Sequence, residues 1–212
     1  MEKLVLLKRG AESLIYLGEF LGIKSVFKVR VSKGYRNPKL DAQINASRTI
    51  SEAKLMYSAL KAGVNTPALL MVSPETFTIV MEYIEGTMLK DASHRTTLFR
   101  DAGVIAGRLH LNGIIHGDLT TNNIIVKDGE LFLIDFGLAK RSVDVEDMAT
   151  DVHVFLRSIE SVHPDVKDKA FSEFMEGYDS VTRRGQDILK KVNEIRMRGR
   201  YVEERRTKGS HG

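Results

Sequence analysis

The sequence predicts an α+β chain in two lobes: an antiparallel five-stranded sheet carrying one helix, then a reduced and mainly helical half. Two observations carry that reading. Up to Glu85, five short alternating or apolar runs are set apart by turn residues and split by a single long helical stretch. Past Gly86, strand-like runs occur only as one pair flanking Asp128-Gly129, and everything after Val145 is helical in pattern. Glu85-Gly86 is therefore the expected boundary, with residues 1–85 as the first lobe and 86–212 as the second.

Taken in order, alternation at Leu4 to Leu7, Leu14 to Leu17 and Ser25 to Val31 predicts three strands of a small antiparallel sheet. Asp41 to Ala62 follows as a helix. Its Ile44, Ile50, Ala53, Leu55, Met56, Ala59 and Leu60 fall largely on one face, and Gly63 sits where a helix end favours glycine. Ala68 to Val72 and Phe77 to Met81 complete the sheet across the turn sequence Ser73-Pro74-Glu75-Thr76. Thr97 to Leu111 is the next helix. Ile124-Ile125-Val126 and Leu131-Phe132-Leu133-Ile134 then flank Asp128-Gly129, a strong signal for a tight hairpin turn.

With 42% hydrophobic residues in 212, the chain can bury a core, which excludes a disordered or fibrous protein. It has no cysteine, so disulfides and thiol chemistry are excluded as well. The amino terminus lacks the apolar core and cleavage site of a signal peptide, and no apolar run approaches the roughly 20 residues needed to span a bilayer. The expectation is a soluble cytoplasmic protein without membrane contact. The formal charge of +4 is uneven, since residues 183–212 carry ten Lys and Arg against four acids. Such a basic end suits phosphate, nucleic acid or an acidic protein surface, and the cluster Arg196, Arg198 and Arg200 points to recognition; the competing readings are a solvated helix with a frayed end, and a helix whose Ile188 to Met197 packs the second lobe.

The richest segment is Ile114 to Gly137. His116-Gly117-Asp118-Leu119 is followed by Asn123 five residues after the aspartate and by Asp135-Phe136-Gly137 seventeen residues after it. That spacing looks like the core of a protein-kinase-like phosphotransferase. Such a site needs one carboxylate beside the attacking hydroxyl or water, and an amide and a second carboxylate to hold Mg²⁺ on the triphosphate. Asp118, Asn123 and Asp135 are the expected catalytic residues, with Asn123 and Asp135 as the metal ligands at the two ends of one hairpin.

Lys28 places a charge in the middle of the apolar strand Val26 to Arg30, and a buried ammonium asks for an anion. In the kinase pattern that lysine meets the α and β phosphates of ATP and is steadied by a helix glutamate, for which Glu52 is the candidate. The loop Lys8 to Ser13 offers one glycine, Gly10, where typical kinases have three, so its amides are the candidates for covering the phosphates. Where the fifth strand leaves the first lobe, the Glu82 carbonyl and the Ile84 amide are candidates to meet the adenine edge.

Departures from the ordinary kinase pattern narrow the reading. Gly117 replaces the usual arginine, Thr120 stands where a lysine is typical, and no Ala-Pro-Glu occurs. Asp151 is a candidate to brace the loop around His116 through its backbone amides, and His116 itself reads as a hydrogen-bonding support under Asp135.

Together, Gly10-Ala11-Glu12, Arg48-Thr49 with Glu52-Ala53, His116 to Thr121, Ile134 to Ala139 and Arg196 to Arg200 resemble one family across nearly the whole chain. It is the small atypical kinase subunit of the KEOPS (EKC) complex, the PRPK-like family. The resemblance implies a minimal two-lobed kinase fold, ATP and Mg²⁺ binding, and serine autophosphorylation or ATP hydrolysis. It further implies partnership with the threonylcarbamoyl-transferase and other KEOPS subunits in modifying transfer RNA, with the basic tail a candidate contact for the RNA. Two other readings are a small-molecule kinase of the aminoglycoside type and a non-enzymatic kinase shell that docks partners. The first expects a sizeable C-terminal substrate lobe, and 75 residues follow Gly137. The second expects loss of Lys28, Asp118, Asn123 or Asp135, and all four are present.

Overall fold

A computed structural model describes residues 4–92 and 96–209, with side chains described as far as Arg198. β1 (Val5–Arg9), β2 (Ser13–Phe20) and β3 (Ile23–Arg30) form an antiparallel meander. α1 (Pro38–Lys61) follows, and β4 (Leu69–Ser73) with β5 (Thr78–Glu82) completes a five-stranded sheet in the order β1-β2-β3-β5-β4. β1 lies at the edge of the sheet, and the apolar alternation expected of it is not buried: Leu4 to Leu7 are all exposed.

α1 begins three residues before the expected start. Pro38 suits the first helical position, and the Asn37 side-chain oxygen accepts the Lys39 amide at 3.0 Å. The expected apolar face needs correction. Ile50 and Leu60 are exposed, whereas Asp41, Asn45, Thr49 and Glu52 are buried ahead of Ala53, Leu55, Met56 and Ala59. The first half of the helix buries polar groups that pair with one another and with β3, and only the second half meets the apolar core. Gly63 follows the helix with φ +77, as expected for its place. Phe77 lies in the turn with φ +55, so β5 starts one residue later than the apolar run implied.

The second lobe opens with the two-residue strand β6 (Thr87–Met88) and α2 (Thr97–Leu111). β7 (Ile114–Ile115), the hairpin β8 (Ile124–Lys127) and β9 (Glu130–Leu133), and β10 (Lys140–Arg141) follow. Asp128 and Gly129 both have positive φ, 51° and 84°, the geometry that matches a two-residue turn to the twist of its strands. β6 adds to β8 and β10 pairs with β7; strands of two residues carry no period and were invisible in the sequence.

Three helices close the lobe: α3 (Val145–Val162), α4 (Lys167–Thr182) and α5 (Gly185–Gly209). α2 and α4 touch through glycines, because a Cβ on Gly103 or Gly177 would overlap a carbonyl oxygen of the facing helix. Phe155 and Phe174 stack at 4.3 Å in the core beneath them. α5 packs Ile188 and Val192 fully inside. Its Arg196 pairs with Glu160 of α3 at 2.9 Å and its Arg198 with Glu146 at 2.7 Å, so two of the arginines expected to be open for recognition are occupied within the chain. Arg200, Arg205, Arg206 and Lys208 of the basic tail lie outside the described side chains. No helix among the described residues is long and apolar enough to cross a membrane.

Candidate active site

β3 alternates, so Lys28 and Arg30 share the face opposite Phe27 and Val29. Both are buried, and both reach Glu52 of α1: Lys28 Nζ lies 2.5 Å from Oε1 and Arg30 Nη2 lies 2.5 Å from Oε2. The expected Lys28–Glu52 pair is present, and a second cation shares its carboxylate. Lys28 also meets Asp135 Oδ1 at 2.7 Å, which ties the first lobe to the segment after β9.

The hairpin sets the other groups. Asn123 immediately precedes β8, Asp135 follows β9, and the Ile134 amide donates to the Asn123 carbonyl at 2.9 Å, which holds the two strand ends together. Asn123 Nδ2 donates to the Asp118 carboxylate and to the Asp118 carbonyl, each at 2.8 Å. Asp135 takes the left-handed conformation, φ +63, and its Oδ1 also accepts the Gly137 amide. Burial alone would raise the Asp135 carboxyl, but the Lys28 ammonium, the Gly137 amide and the nearby His116 ring outweigh it and hold it below the usual carboxylate range.

The loop from His116 to Asn123 hangs from α3. Asp151 accepts the amides of His116 at 2.6 Å and Gly117 at 2.8 Å, so the proposed brace from below is realised. Two helical turns further on, Ser158 Oγ accepts the Thr121 amide at 3.0 Å. His110 and Tyr178 back Asp151 from α2 and α4, with His110 Nε2 3.4 Å from its carboxylate. His116 supports the chain under Asp135 as expected, its Nε2 meeting the Ile134 carbonyl at 3.1 Å. Burial pushes the His116 pKa down against the raising pull of Asp151, the Ile134 carbonyl, Asp135 and Asp118. Gly117 has φ +80, and a Cβ there would overlap the Leu138 carbonyl oxygen, so close approach of the segment after Gly137 excludes the usual arginine.

All eight expected site residues, Gly10, Lys28, Glu52, Glu82, Ile84, Asp118, Asn123 and Asp135, line one cleft of about 640 Å³. Val26, Met81, Ile84 and Ile125 add apolar surface to its lining, beside the charged groups. The Tyr83 amide donates to the Lys24 carbonyl at 3.0 Å, which turns the Glu82 carbonyl and the Ile84 amide away from β3. Among the described residues no group of three or more His, Asp or Glu is placed to hold a metal. A cation at Asn123 and Asp135 would need further oxygens, of the kind a phosphate carries.

Sequence reasoning missed two features of this cleft. Arg30 was legible, because it stands two residues after Lys28 on an alternating strand. The second is a bidentate pair in which Arg48 of α1 holds Glu12, at 3.0 and 2.5 Å, and so anchors the loop between β1 and β2. That pairing joins residues 36 apart and left no local signal. The Arg48 hydrogen bonds outweigh burial and lower the Glu12 pKa.

Residues 18–157 match the protein kinase domain family. The chain is 40% identical to the KEOPS complex subunit Bud32 of Pyrococcus abyssi, an alignment covering 93% of this chain and 96% of that one. It is 44% identical over 198 residues to a probable bifunctional tRNA threonylcarbamoyladenosine biosynthesis protein of Methanothermobacter thermautotrophicus. That alignment covers 93% of this chain but 37% of the relative, so the chain spans little more than a third of such bifunctional proteins. Among solved structures, the Rio2 kinase–ADP/Mg²⁺–phosphoaspartate complex from Chaetomium thermophilum superposes with a TM-score of 0.61 at 19% identity, covering 94% of this chain and 70% of that one. Amicoumacin kinase hAmiN, in complex with AMP-PNP, Ca²⁺ and Ami, gives 0.62 at 14% identity, covering 84% and 72%. At these identities the two structures speak for the fold alone.

Proposed function

The chain belongs to the protein-kinase-like Bud32 family, and from that premise we propose that it moves the terminal phosphoryl group of Mg²⁺-bound ATP to a hydroxyl or to water. It would do so as a subunit of a KEOPS-type assembly that makes threonylcarbamoyladenosine on transfer RNA. The observation that carries the reading is the convergence of Lys28, Asp118, Asn123 and Asp135 on one cleft that also offers apolar surface. Apolar surface suits a purine, and the charged cluster suits a triphosphate.

In this reading residues 1–85 hold the nucleotide and residues 86–212 carry the chemistry. The Glu82 carbonyl and Ile84 amide meet the adenine edge, the amides around Gly10 cover the phosphates, and Lys28, steadied by Glu52, meets the α and β phosphates. Asn123 and Asp135 are the residues that would hold Mg²⁺, which when bound neutralises charge developing on the phosphate oxygens. Asp118 orients the attacking oxygen and receives its proton as the new P–O bond forms and the bond to ADP breaks. The Asn123 amide donates to that carboxylate at 2.8 Å and restrains it.

The tail from Arg183 to Lys208 serves recognition in this proposal, through basic residues other than Arg196 and Arg198, which pair with Glu160 and Glu146. If its partner is RNA, affinity falls steeply with salt, by a slope of about 0.7 to 0.9 per phosphate contact. The kinase-shell alternative has no use for the four convergent polar groups. ATP turnover measured for the protein alone, with the purified transferase subunit and with transfer RNA tests the whole reading. We expect turnover that Asp118→Asn abolishes; a protein that binds no Mg²⁺-ATP in any of the three mixtures refutes it.

A further inference from the structure

Arg30 is the buried charged side chain of the cleft that the roles above leave unused. It is 6% exposed, lines the cleft, and donates to Glu52 through Nη2. Its Nε is buried with no hydrogen-bond partner among the described residues. Lys28 divides its charge between Glu52 and Asp135, and Glu12 is held by Arg48, so Arg30 is left to share one carboxylate with a second cation.

Strand register says what Arg30 faces. Ser25 of β3 pairs with Glu82, where the base is placed, and Arg30 pairs with Ser13 at the loop between β1 and β2. Lys28 lies between them on the same face as Arg30. At about 3.3 Å per residue, Arg30 stands roughly 6.6 Å farther along β3 from the base end than Lys28 does. The segment 116–123 contains no Lys or Arg, with Thr120 and Gly117 where cations are typical. A transferring phosphoryl group needs a positive neighbour as its charge develops.

We propose that Arg30 is a specificity-determining ligand of the terminal phosphate of ATP, sharing its planar fork between that phosphate and Glu52. A guanidinium has five donors and can serve two anions at once, which an ammonium does less well. The proposal rests on the cleft being the ATP site. Its consequence is discrimination: Lys28 serves nucleotides with two or three phosphates, whereas Arg30 favours the one with three.

Calorimetric titration of Mg²⁺-ATP and Mg²⁺-ADP against purified variants decides it. Arg30→Gln should weaken ATP binding about tenfold or more and ADP binding less than about twofold, the loss of a charge-assisted contact to one phosphate. Glu52→Gln, which disturbs Lys28 as well, should weaken both nucleotides. Arg48→Gln removes the same charge from the pair with Glu12 and should show no preference between them. If Arg30→Gln weakens ATP and ADP alike, or if Arg48→Gln discriminates equally, Arg30 is a structural partner of Glu52 and the proposal is wrong. Should Arg30→Gln fail to fold, the Arg30→Gln/Glu52→Gln double variant, compared with Glu52→Gln alone, gives the same readout without leaving a buried carboxylate short of a cation. If the unaltered protein binds neither nucleotide, the ATP reading itself falls; if it binds both, the Arg30 result stands or falls on its own.

Discussion

Asp151 of α3 accepts the backbone amide of His116 at 2.6 Å, and through its other oxygen it also accepts Gly117. The loop that presents Asp118 is thus hung from a buried carboxylate on a helix 34 residues away. Asp151→Ala leaves two buried amides without an acceptor. We expect a loss of about 2 to 4 kcal/mol in stability, read from denaturant unfolding. At temperatures where the variant stays folded, turnover should fall more than nucleotide affinity. Unchanged stability would mean that water replaces the carboxylate.

Asp135→Ala and Asp118→Ala should stop phosphoryl transfer by different routes. Asp135 meets Lys28 and in the proposed reading holds the metal, so its loss should weaken Mg²⁺-ATP binding by about tenfold or more. Asp118 is assigned in that reading to the nucleophile, and its loss should leave affinity within a few-fold of the parent. Calorimetry beside a turnover assay separates them; equal binding losses would overturn the assignment.

Lys28, Arg30 and Glu52 should behave as one unit. Glu52→Gln leaves two buried cations facing a neutral amide, so we expect it to cost about 3 to 5 kcal/mol, at least as much as Lys28→Met. In a double-mutant cycle the Lys28 and Glu52 effects should depart from additivity by more than about 1 kcal/mol. Additive effects would show that the pair does not form in solution.

His116 gives a pH dependence with a definite sign. Burial holds its folded-state pKa below the usual 6.5, against Asp151, Asp135 and Asp118, so the unfolded chain binds the proton first. Its contribution is complete above about pH 6.5 and is lost as pH falls below that value, by at most about 1.4 kcal/mol per pH unit. The depressed Asp135 carboxyl is lost only below its usual 3.8, outside this window. Unfolding midpoints of the parent and His116→Gln between pH 7.5 and 5.5 should therefore diverge at high pH and converge at low pH. Parallel curves would remove His116 as the cause.

Much of this protein was legible before folding. The five strands and the helix of the first lobe followed from local periodicity, and the hairpin from Asp128-Gly129, because turn geometry is set by the residues that make it. Asp118, Asn123 and Asp135 could be named because their chemistry needs those side chains at those spacings. The Lys28–Glu52 pair was readable because a charge inside an apolar strand demands a partner, and one helix offered it. What the tertiary structure alone decided is which groups are shared. Glu52 holds Arg30 as well as Lys28, α1 buries a polar stripe where an apolar one was expected, and Arg196 and Arg198 of α5 pair with carboxylates of α3. Gly117 is required by Leu138, a residue 21 positions on. Each of these depends on surfaces brought together by packing, and periodicity records only the side a residue faces, not the partner it finds there.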